Sequence, residues 1–181
     1  MEKVEFRIEG VSALLMHSYP LVPIEALEKK TPQEQAEIAA YRIPSKNGAR
    51  GNLYVPGTAL WRALVAAGVY SKGKGRGNLS QSVAACVAIT PEYLDLGTAD
   101  YVVDTRPVVI PATKGRILRY RPRLDAWSVS GVLLFDPNML TVLQVRRIVD
   151  DAGSKVGILD FRPAKKGPFG RFQVVAWKHE K

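Results

Sequence analysis

The order in which two hydrophobic periods alternate along the chain limits its fold more than any other feature. Near the start, VEFRI (Val4 to Ile8) places apolar residues at every second position, and near the end RFQVVAW (Arg171 to Trp177) does much the same. That spacing turns one face of an extended chain inward, so it marks half-buried strands. WSVSGVLLF (Trp127 to Phe135) reads as a further strand and Leu53 to Val55 as a short one. Between them lie helical periods. Leu60, Trp61, Leu64 and Val65 form one apolar stripe, with Thr58 as the expected cap and Gly68 as the expected stop. Pro137 to Ala152 is a second helix, with Asp136 as cap and Gly153 as stop. SVAACVAI, around Cys86, is a short buried strand or helix, and Tyr101 to Ile110 and Gly115 to Leu124 are strand-like.

With insertions set aside, the order is strand, helix, strand, strand, helix, strand. It predicts an α+β fold with a ferredoxin-like (RRM-like) βαββαβ core, in which both helices cover one face of an antiparallel sheet. In RNA-recognition domains of that plan the other face is open and stacks bases. The 181 residues suit one such domain over 1–181, with insertions at about 20–52, 71–100 and 104–124. The first is helical: Ala26 to Ile43 is rich in Glu, Lys, Gln and Ala, and Thr31-Pro32 offers a cap and a first-turn proline. The second is loop-rich, and the third is a basic hairpin.

An apolar fraction of 46% beside 24% charged residues argues for a packed core and against disorder. No apolar stretch approaches the ~20 residues of a membrane span, and MEKVEFRIEG lacks the pattern of a secretory signal. A single cysteine leaves no internal disulfide, so Cys86 reads as an inert core thiol in a reducing compartment. The expected location is cytoplasmic, with no membrane partner.

Net charge is +9, from 26 Lys and Arg against 17 Asp and Glu, which favours acidic partners and nucleic acid above all. The cations cluster. Arg42, Lys46 and Arg50 share one loop; Lys72, Lys74 and Arg76 share the mobile-looking KGKGRG; Arg106, Lys114, Arg116, Arg119, Arg121 and Arg123 line a strand pair; Arg162, Lys165, Lys166 and Arg171 surround the glycines before the last strand. Few carboxylates lie near them in sequence, Asp104 excepted, so these loops are expected to stay unneutralised until a polyanion displaces their counterions.

In RILRYRPRLDAW, alternation puts Arg116, Leu118 and Tyr120 on one side and Ile117, Arg119 and Arg121 on the other. Neither side is apolar. A hairpin rising from the sheet is therefore expected, with Tyr120 set among guanidinium groups to stack on a base; the alternative is an edge hairpin shielded from aggregation by its charges. Trp127 and Phe169 are further stacking candidates, Phe169 as the exposed ring and Phe172 as its core neighbour. In DFRPAKKGPFGRF, glycines permit close approach of a phosphate chain and prolines stiffen the loop, which reads as a clamp on a strand.

Catalytic patterns are thin. KGKGRG is not GxxxxGK[ST] and does not match GxGxxG. No CxxC, HxH or HExxH spacing offers a metal site, and no cofactor is expected. Asp150-Asp151 falls at a helix end, and His179 lies in an expected frayed terminus. His17, in LLMHSYP, is the one candidate general base or acid, with a packed structural histidine as its bland alternative.

Three stretches resemble the RAMP superfamily of CRISPR systems, and within it the backbone subunits that coat guide RNA. FRIEGVSALLMHS is similar to the first strand and the small-apolar-His/Asn run of that superfamily. VPGTALWRALVAAG (Val55 to Gly68) is similar to its IPG-x-x-L-(K/R)-x-x-L strand-to-helix junction, and GPFGRFQVV to its glycine-rich loop and last strand. TRP…YRPRLDAWSV…GILDFRP…GRFQV is also similar to a group of phage proteins, which would place the chain in a host cytoplasm. The resemblance implies ferredoxin-like modules and binding along a strand of RNA or DNA. The chain is shorter than most guide-coating subunits, and it lacks the acidic loop with which some of them cleave target RNA.

The expected function is non-enzymatic, largely sequence-independent binding of single-stranded nucleic acid, DNA or RNA, by a protein that self-assembles into a ring or filament. Its expected contacts are Arg50, Lys72, Lys74, Arg76, Arg106, Lys114, Arg116, Arg119, Tyr120, Arg121, Arg123, Trp127, Arg162, Lys165, Lys166, Phe169 and Arg171. Two alternatives stay open: a metal-independent endoribonuclease acting through His17, and an assembly protein whose basic surface docks an acidic protein.

Overall fold

Along Glu2–Gly10 the side chains alternate, Val4, Phe6 and Ile8 inward and Glu5, Arg7 and Glu9 outward, and this strand becomes the centre of the main sheet. A computed structural model describes residues 1–45, 48–73, 77–109 and 113–180. The first half runs β1 (Glu2–Gly10), β2 (Leu14–Leu15), α1 (Ile24–Glu28), α2 (Pro32–Ala39), β3 (Tyr54–Pro56), α3 (Gly57–Ala67) and α4 (Ser80–Cys86). Then follow β4 (Val87–Thr90), β5 (Tyr93–Asp95), β6 (Val102–Val109), β7 (Arg116–Leu124), β8 (Ser128–Phe135), α5 (Val142–Asp151) and β9 (Phe172–Glu180). The protein is a mixed α+β molecule with several antiparallel sheets.

The main sheet has the order β4-β8-β1-β9, antiparallel throughout. Register sets Val4 opposite Leu133, Phe6 opposite Gly131 and Ile8 opposite Val129, so the inward residues of the two central strands meet. α3 packs beside β4, α5 beside β9, and the two helices touch each other. Leu60, Leu64, Val145 and Ile148 join Phe135 and Leu133 in one core. Each such side chain contributes roughly 1.5–3 kcal/mol on burial. Gly131 has no room for a side chain, since a Cβ there would lie 2.8 Å from Leu94 and 2.9 Å from Phe6. That gap is how Leu94 of β5 enters the core.

Two smaller sheets flank this one. β2, β7 and β6 form a three-stranded sheet against which α2 packs, and β3 and β5 form a two-stranded one. The stretch around 71–100, expected to be loop-rich, holds α4 and β5 and supplies β4 to the main sheet. The Cys86 thiol is buried at the end of α4, and that burial raises its pKa.

Several expected boundaries shift for local reasons. α5 starts at Val142, because Thr141 and Gln144 satisfy each other's backbone N–H groups in a capping box. Asp136 instead accepts from the Asn138 N–H at 2.9 Å and folds a separate turn. The chain passes Gly153 into a π-helical turn (Ala152–Val156) and reverses at Gly157, whose φ is +71°. Gly153 is small because a Cβ would meet the Phe172 carbonyl oxygen at 2.2 Å. α3 begins at Gly57 with Pro56 at the cap position and no side-chain cap, so Thr58 is not its cap. Gly68 does not turn left-handed at the end of α3; it lets the start of α4 approach, with Ser80 N 2.5 Å from where a Cβ would be. Thr31 caps α2 with Glu34, as its sequence suggests.

The uncovered face of the main sheet does not resemble a base-stacking platform. Its central outward residues are Lys3, Glu5, Arg7 and Glu9 on β1 and Ser128, Ser130, Val132 and Leu134 on β8, without an aromatic ring. Lys3 bridges Glu5 at 2.8 Å and Glu180 at 3.1 Å, and Lys178 bridges Glu180 at 2.7 Å. His179, expected to fray, is fixed on β9 with Nε2 2.7 Å from a Glu2 carboxylate oxygen.

The helical insertion is held by Glu37. It accepts from Arg42, from Arg50 at 3.1 Å and from the Tyr101 hydroxyl at 2.8 Å, and the Arg42 guanidinium above all holds its pKa at about 2. A carboxylate depressed on folding contributes stability above its ordinary pKa of 4.5 and loses it as pH falls. Because Glu37 is half-exposed, screening limits the effect to about 1 kcal/mol. Glu37→Gln should lower the unfolding free energy at pH 7 by that amount in chemical denaturation, and wild type and variant should converge as pH drops from about 4.5 toward about 2.

Candidate nucleic-acid interface

The chain between Gly157 and Gly170 is closed on itself and zipped to the rest of the molecule. Ile158 donates to the Gly170 carbonyl at 2.9 Å, and Gly170, with φ +72°, lies so near Ile158 that a Cβ would be 2.0 Å from its oxygen. Asp160 N–H donates to Leu15 at 3.0 Å and Gly170 N–H to Ala13 at 2.8 Å. The segment after β1 therefore carries β7 on one side, through β2, and this loop on the other. Arg121 of β7, buried, reaches across to the Asp160 carboxylate.

This closure opens a cleft of ≈ 410 Å³ beside the start of α3, lined by His17, Tyr41, Thr58, Arg62, Asp160 and Arg162. Arg62 lies four residues after Thr58 and so on the same side of α3. Arg162 donates to the Leu159 carbonyl at 2.8 Å, which steadies its side chain at the rim. Among the described residues neither Arg62 nor Arg162 makes an ion pair, whereas Asp160 is engaged by Arg121. The positive end of α3 also faces the cleft without a capping side chain. His17 keeps an open edge, yet the cleft walls strip enough water from its imidazole to lower its pKa. The Asp160 charge opposes that shift, and Arg121 and Arg119 add to it. Such an arrangement can accommodate an anion beside an imidazole able to give or take a proton.

The expected contact residues divide. Arg162 enters the cleft, and Arg119 and Tyr120 line a hollow on the other side of His17 with Pro20, Leu27 and Ile38. Tyr120 is thus half-buried against α2, with Arg119 beside it. Lys165, Lys166 and Arg171 are exposed on the loop, with Lys166 left-handed at φ +59°. Lys114 and Arg116 are exposed at the far end of the β6–β7 hairpin, and Lys72 lines a separate groove with Asn78 and Gln144. Lys46, Lys74 and Arg76 lie outside the described residues.

Other expectations fail. Trp127 is buried, its indole N–H donating to the Ser12 carbonyl at 2.8 Å and its ring edge-on to Phe172 at 6.5 Å. Phe169 is also buried, 6.0 Å from Phe161 and roofed by the Arg106 guanidinium at 4.8 Å. Neither ring can stack on a base. Arg121 is spent on Asp160. Arg106 pairs with Asp104 at 2.8 Å, Arg123 with Asp125 at 2.8 Å and Asp104 at 3.5 Å, and Arg50 with Glu37 at 3.1 Å and Asp100 at 3.6 Å. The patches are partly neutralised after all: Asp104 and Asp125 act two residues from Arg106 and Arg123, while Glu37, Asp100 and Asp160 are brought in by folding. Arg62, Thr58, Tyr41 and Asp160 went unrecognised. The pairing of Thr58 with Arg62 one turn on, after a Pro-Gly junction, was the available signal.

Among the described residues no three of His, Cys, Asp or Glu gather to hold a metal ion, and no helix is long and apolar enough to cross a membrane. No protein-family model matches the chain, and no curated protein matches it significantly.

A buried guanidinium stripped of its partner costs about 3–5 kcal/mol. Asp160→Ala should therefore destabilise the protein by about 3 kcal/mol in chemical denaturation. Adding Arg121→Met should recover more than half of the loss, because the charge that needed Asp160 is then gone.

Proposed function

We propose that the protein binds single-stranded nucleic acid through its phosphates, largely without regard to sequence, and that copies assemble along the strand. The cleft with two unpaired guanidinium groups carries this reading. Arg62 and Arg162 face a polar hollow, and Lys165, Lys166 and Arg171 continue the positive surface along the loop. Phosphate contacts of this kind fix a backbone without reading bases. The order of the main sheet, with α3 and α5 on one side, supports a ferredoxin-like core and, with the quoted motifs, a RAMP-like relative whose work is binding in the cytoplasm. The proposed contacts are the cleft and loop cations, with the hairpin cations Lys114 and Arg116 as an outlying set. Exposed Tyr19 and Leu21, at 83% and 95%, support self-association, since a second copy would cover them.

Titration of a labelled unstructured oligonucleotide at two salt concentrations tests the proposal. Affinity should fall steeply with salt, and Arg62→Ala with Arg162→Ala should weaken binding at least about tenfold and flatten the log–log salt slope by about 2. No binding at low salt would end this reading.

A second reading is favoured by one observation: His17, with its lowered pKa, lies in the same cleft as Arg62 and Arg162. A neutral imidazole there could take a ribose 2′-hydroxyl proton while the guanidinium groups hold the phosphate. RNA incubated in chelator should be cleaved by wild type and spared by His17→Ala if this holds. Equal cleavage by both, or none by either, rejects it.

A further inference from the structure

Beside the cleft, the short β3–β5 sheet turns an unusual face to solvent. In β3, Val55 is fully buried, so Tyr54 and Pro56 point outward; in β5, Leu94 is fully buried, so Tyr93 and Asp95 point outward. Register puts Tyr93 opposite Pro56. The chain before β3 extends the same face, since Tyr54 N–H donates to the Tyr41 carbonyl at 3.0 Å. Three phenol rings then form a file. Tyr41 and Tyr54 are 5.8 Å apart, Tyr54 and Tyr93 4.6 Å apart, each pair at 65°.

Core packing accounts for Tyr41, which lies against the core, but not for Tyr54 and Tyr93. Val55 and Leu94 already anchor the sheet from beneath, and Tyr93 remains 38% exposed. The file is continuous with the cleft, because Tyr41 and Pro56 are themselves part of the cleft wall. Tyr41 is fixed there by its hydroxyl, which donates to the His17 carbonyl at 3.3 Å. Carboxylates border the file, Asp95 opposite Tyr54 and Glu92 just before Tyr93, whereas Arg62 and Arg162 share the cleft with Tyr41 and Pro56. A strand whose phosphates follow the guanidinium groups would be kept from running its backbone over the carboxylates. It would present the bases to the rings instead. Burial raises the pKa of the Tyr41 and Tyr54 phenols, so they stay neutral beside a polyanion.

We infer that the Tyr41–Tyr54–Tyr93 face is a stacking platform for unpaired bases, continuous with the phosphate cleft. The inference rests on the proposed nucleic-acid reading and adds to it a site for the bases. An aromatic ring accepts any base, because every base has a π-face. The stacking rings are therefore tyrosines on an outlying sheet, in place of the buried Trp127 and Phe169.

The test compares oligouridine RNA, oligothymidine DNA and an abasic DNA strand of equal length, titrated at low salt against wild type, Tyr93→Ala and Tyr93→Phe. Wild type should bind a base-bearing strand roughly fivefold or more tighter than the abasic one. Tyr93→Ala should lose most of that margin while leaving abasic binding unchanged, and Tyr93→Phe should retain it. The polymer with the larger margin is the one the platform accepts. A 2-aminopurine base in the strand should be quenched on binding wild type, a readout that does not require any variant to fold. Equal affinity for base-bearing and abasic strands, or a margin unaffected by Tyr93→Ala, overturns the platform and leaves the phosphate reading standing. It would turn the same Tyr-Pro face toward a protein segment. If no strand binds at all, both fall together.

Discussion

A guanidinium withdrawn from water needs an anion beside it, and the candidate site hangs on how Arg121 meets that need. The pair it forms with Asp160 joins residues 39 positions apart, one on β7 and one in the glycine-rich loop before β9. It fastens the loop to the three-stranded sheet from the side chains, while Leu15 and Ala13 fasten it from the backbone. The same bond decides the charge of the cleft. With Asp160 turned toward Arg121, the cleft's one carboxylate is already engaged, so Arg62 and Arg162 are left unneutralised over a hydrogen-bonded floor. Burying an ion pair brings little net stability. Its effect here is positional: Leu159 and Arg162 are carried to the rim opposite His17.

Charge is therefore unevenly spent. On the uncovered face of the main sheet, Lys3, Glu5, Lys178 and Glu180 neutralise one another within two adjacent strands. On the hairpin, Asp104 and Asp125 absorb Arg106 and Arg123. Among the described residues the cations outside any ion pair include Arg62, Arg162, Lys165, Lys166 and Arg171 around α3 and the loop, while Arg7, Lys29, Lys30, Lys72, Lys114, Arg116, Arg119 and Arg147 lie elsewhere. Counting cations by sequence neighbourhood missed Arg62, which stands alone in α3, and left Arg121 free although Asp160, 39 positions away, engages it.

The strands with clean two-residue alternation were legible: Val4, Phe6 and Ile8 announce β1 by themselves, and Thr31 with Pro32 announces the start of α2. Boundaries set by a distant partner were not. Gly153 and Gly68 look like helix stops, yet each is small because another segment crosses it, Phe172 in one case and Ser80 in the other. Trp127 looked available for stacking until Gly10 is considered, where a Cβ would lie 2.1 Å from the indole. That missing side chain lets the ring lie down and reach Ser12. Phe169 is hidden in the same way by Phe161 and Arg106, neither of which its local sequence names. The tyrosine file escaped notice because β3 and β5 are only three residues each, too short for a period to show.

Under the proposed reading, both kinds of contact are blind to sequence. Guanidinium groups and the uncapped start of α3 answer to phosphate, and tyrosine rings answer to any base. A single copy would then have no preferred register on a strand. Regular spacing would have to come from contact between copies. The apolar segment from Tyr19 to Ile24 is one exposed surface for it: Leu21 is almost wholly exposed, and Pro20 and Pro23 restrict the backbone and so lower the entropy lost on docking. It emerges directly from His17, so ordering it against a neighbour would brace one wall of the cleft. Strand binding and assembly would thus be coupled through a few residues, with the affinity of each copy raised by the presence of the next.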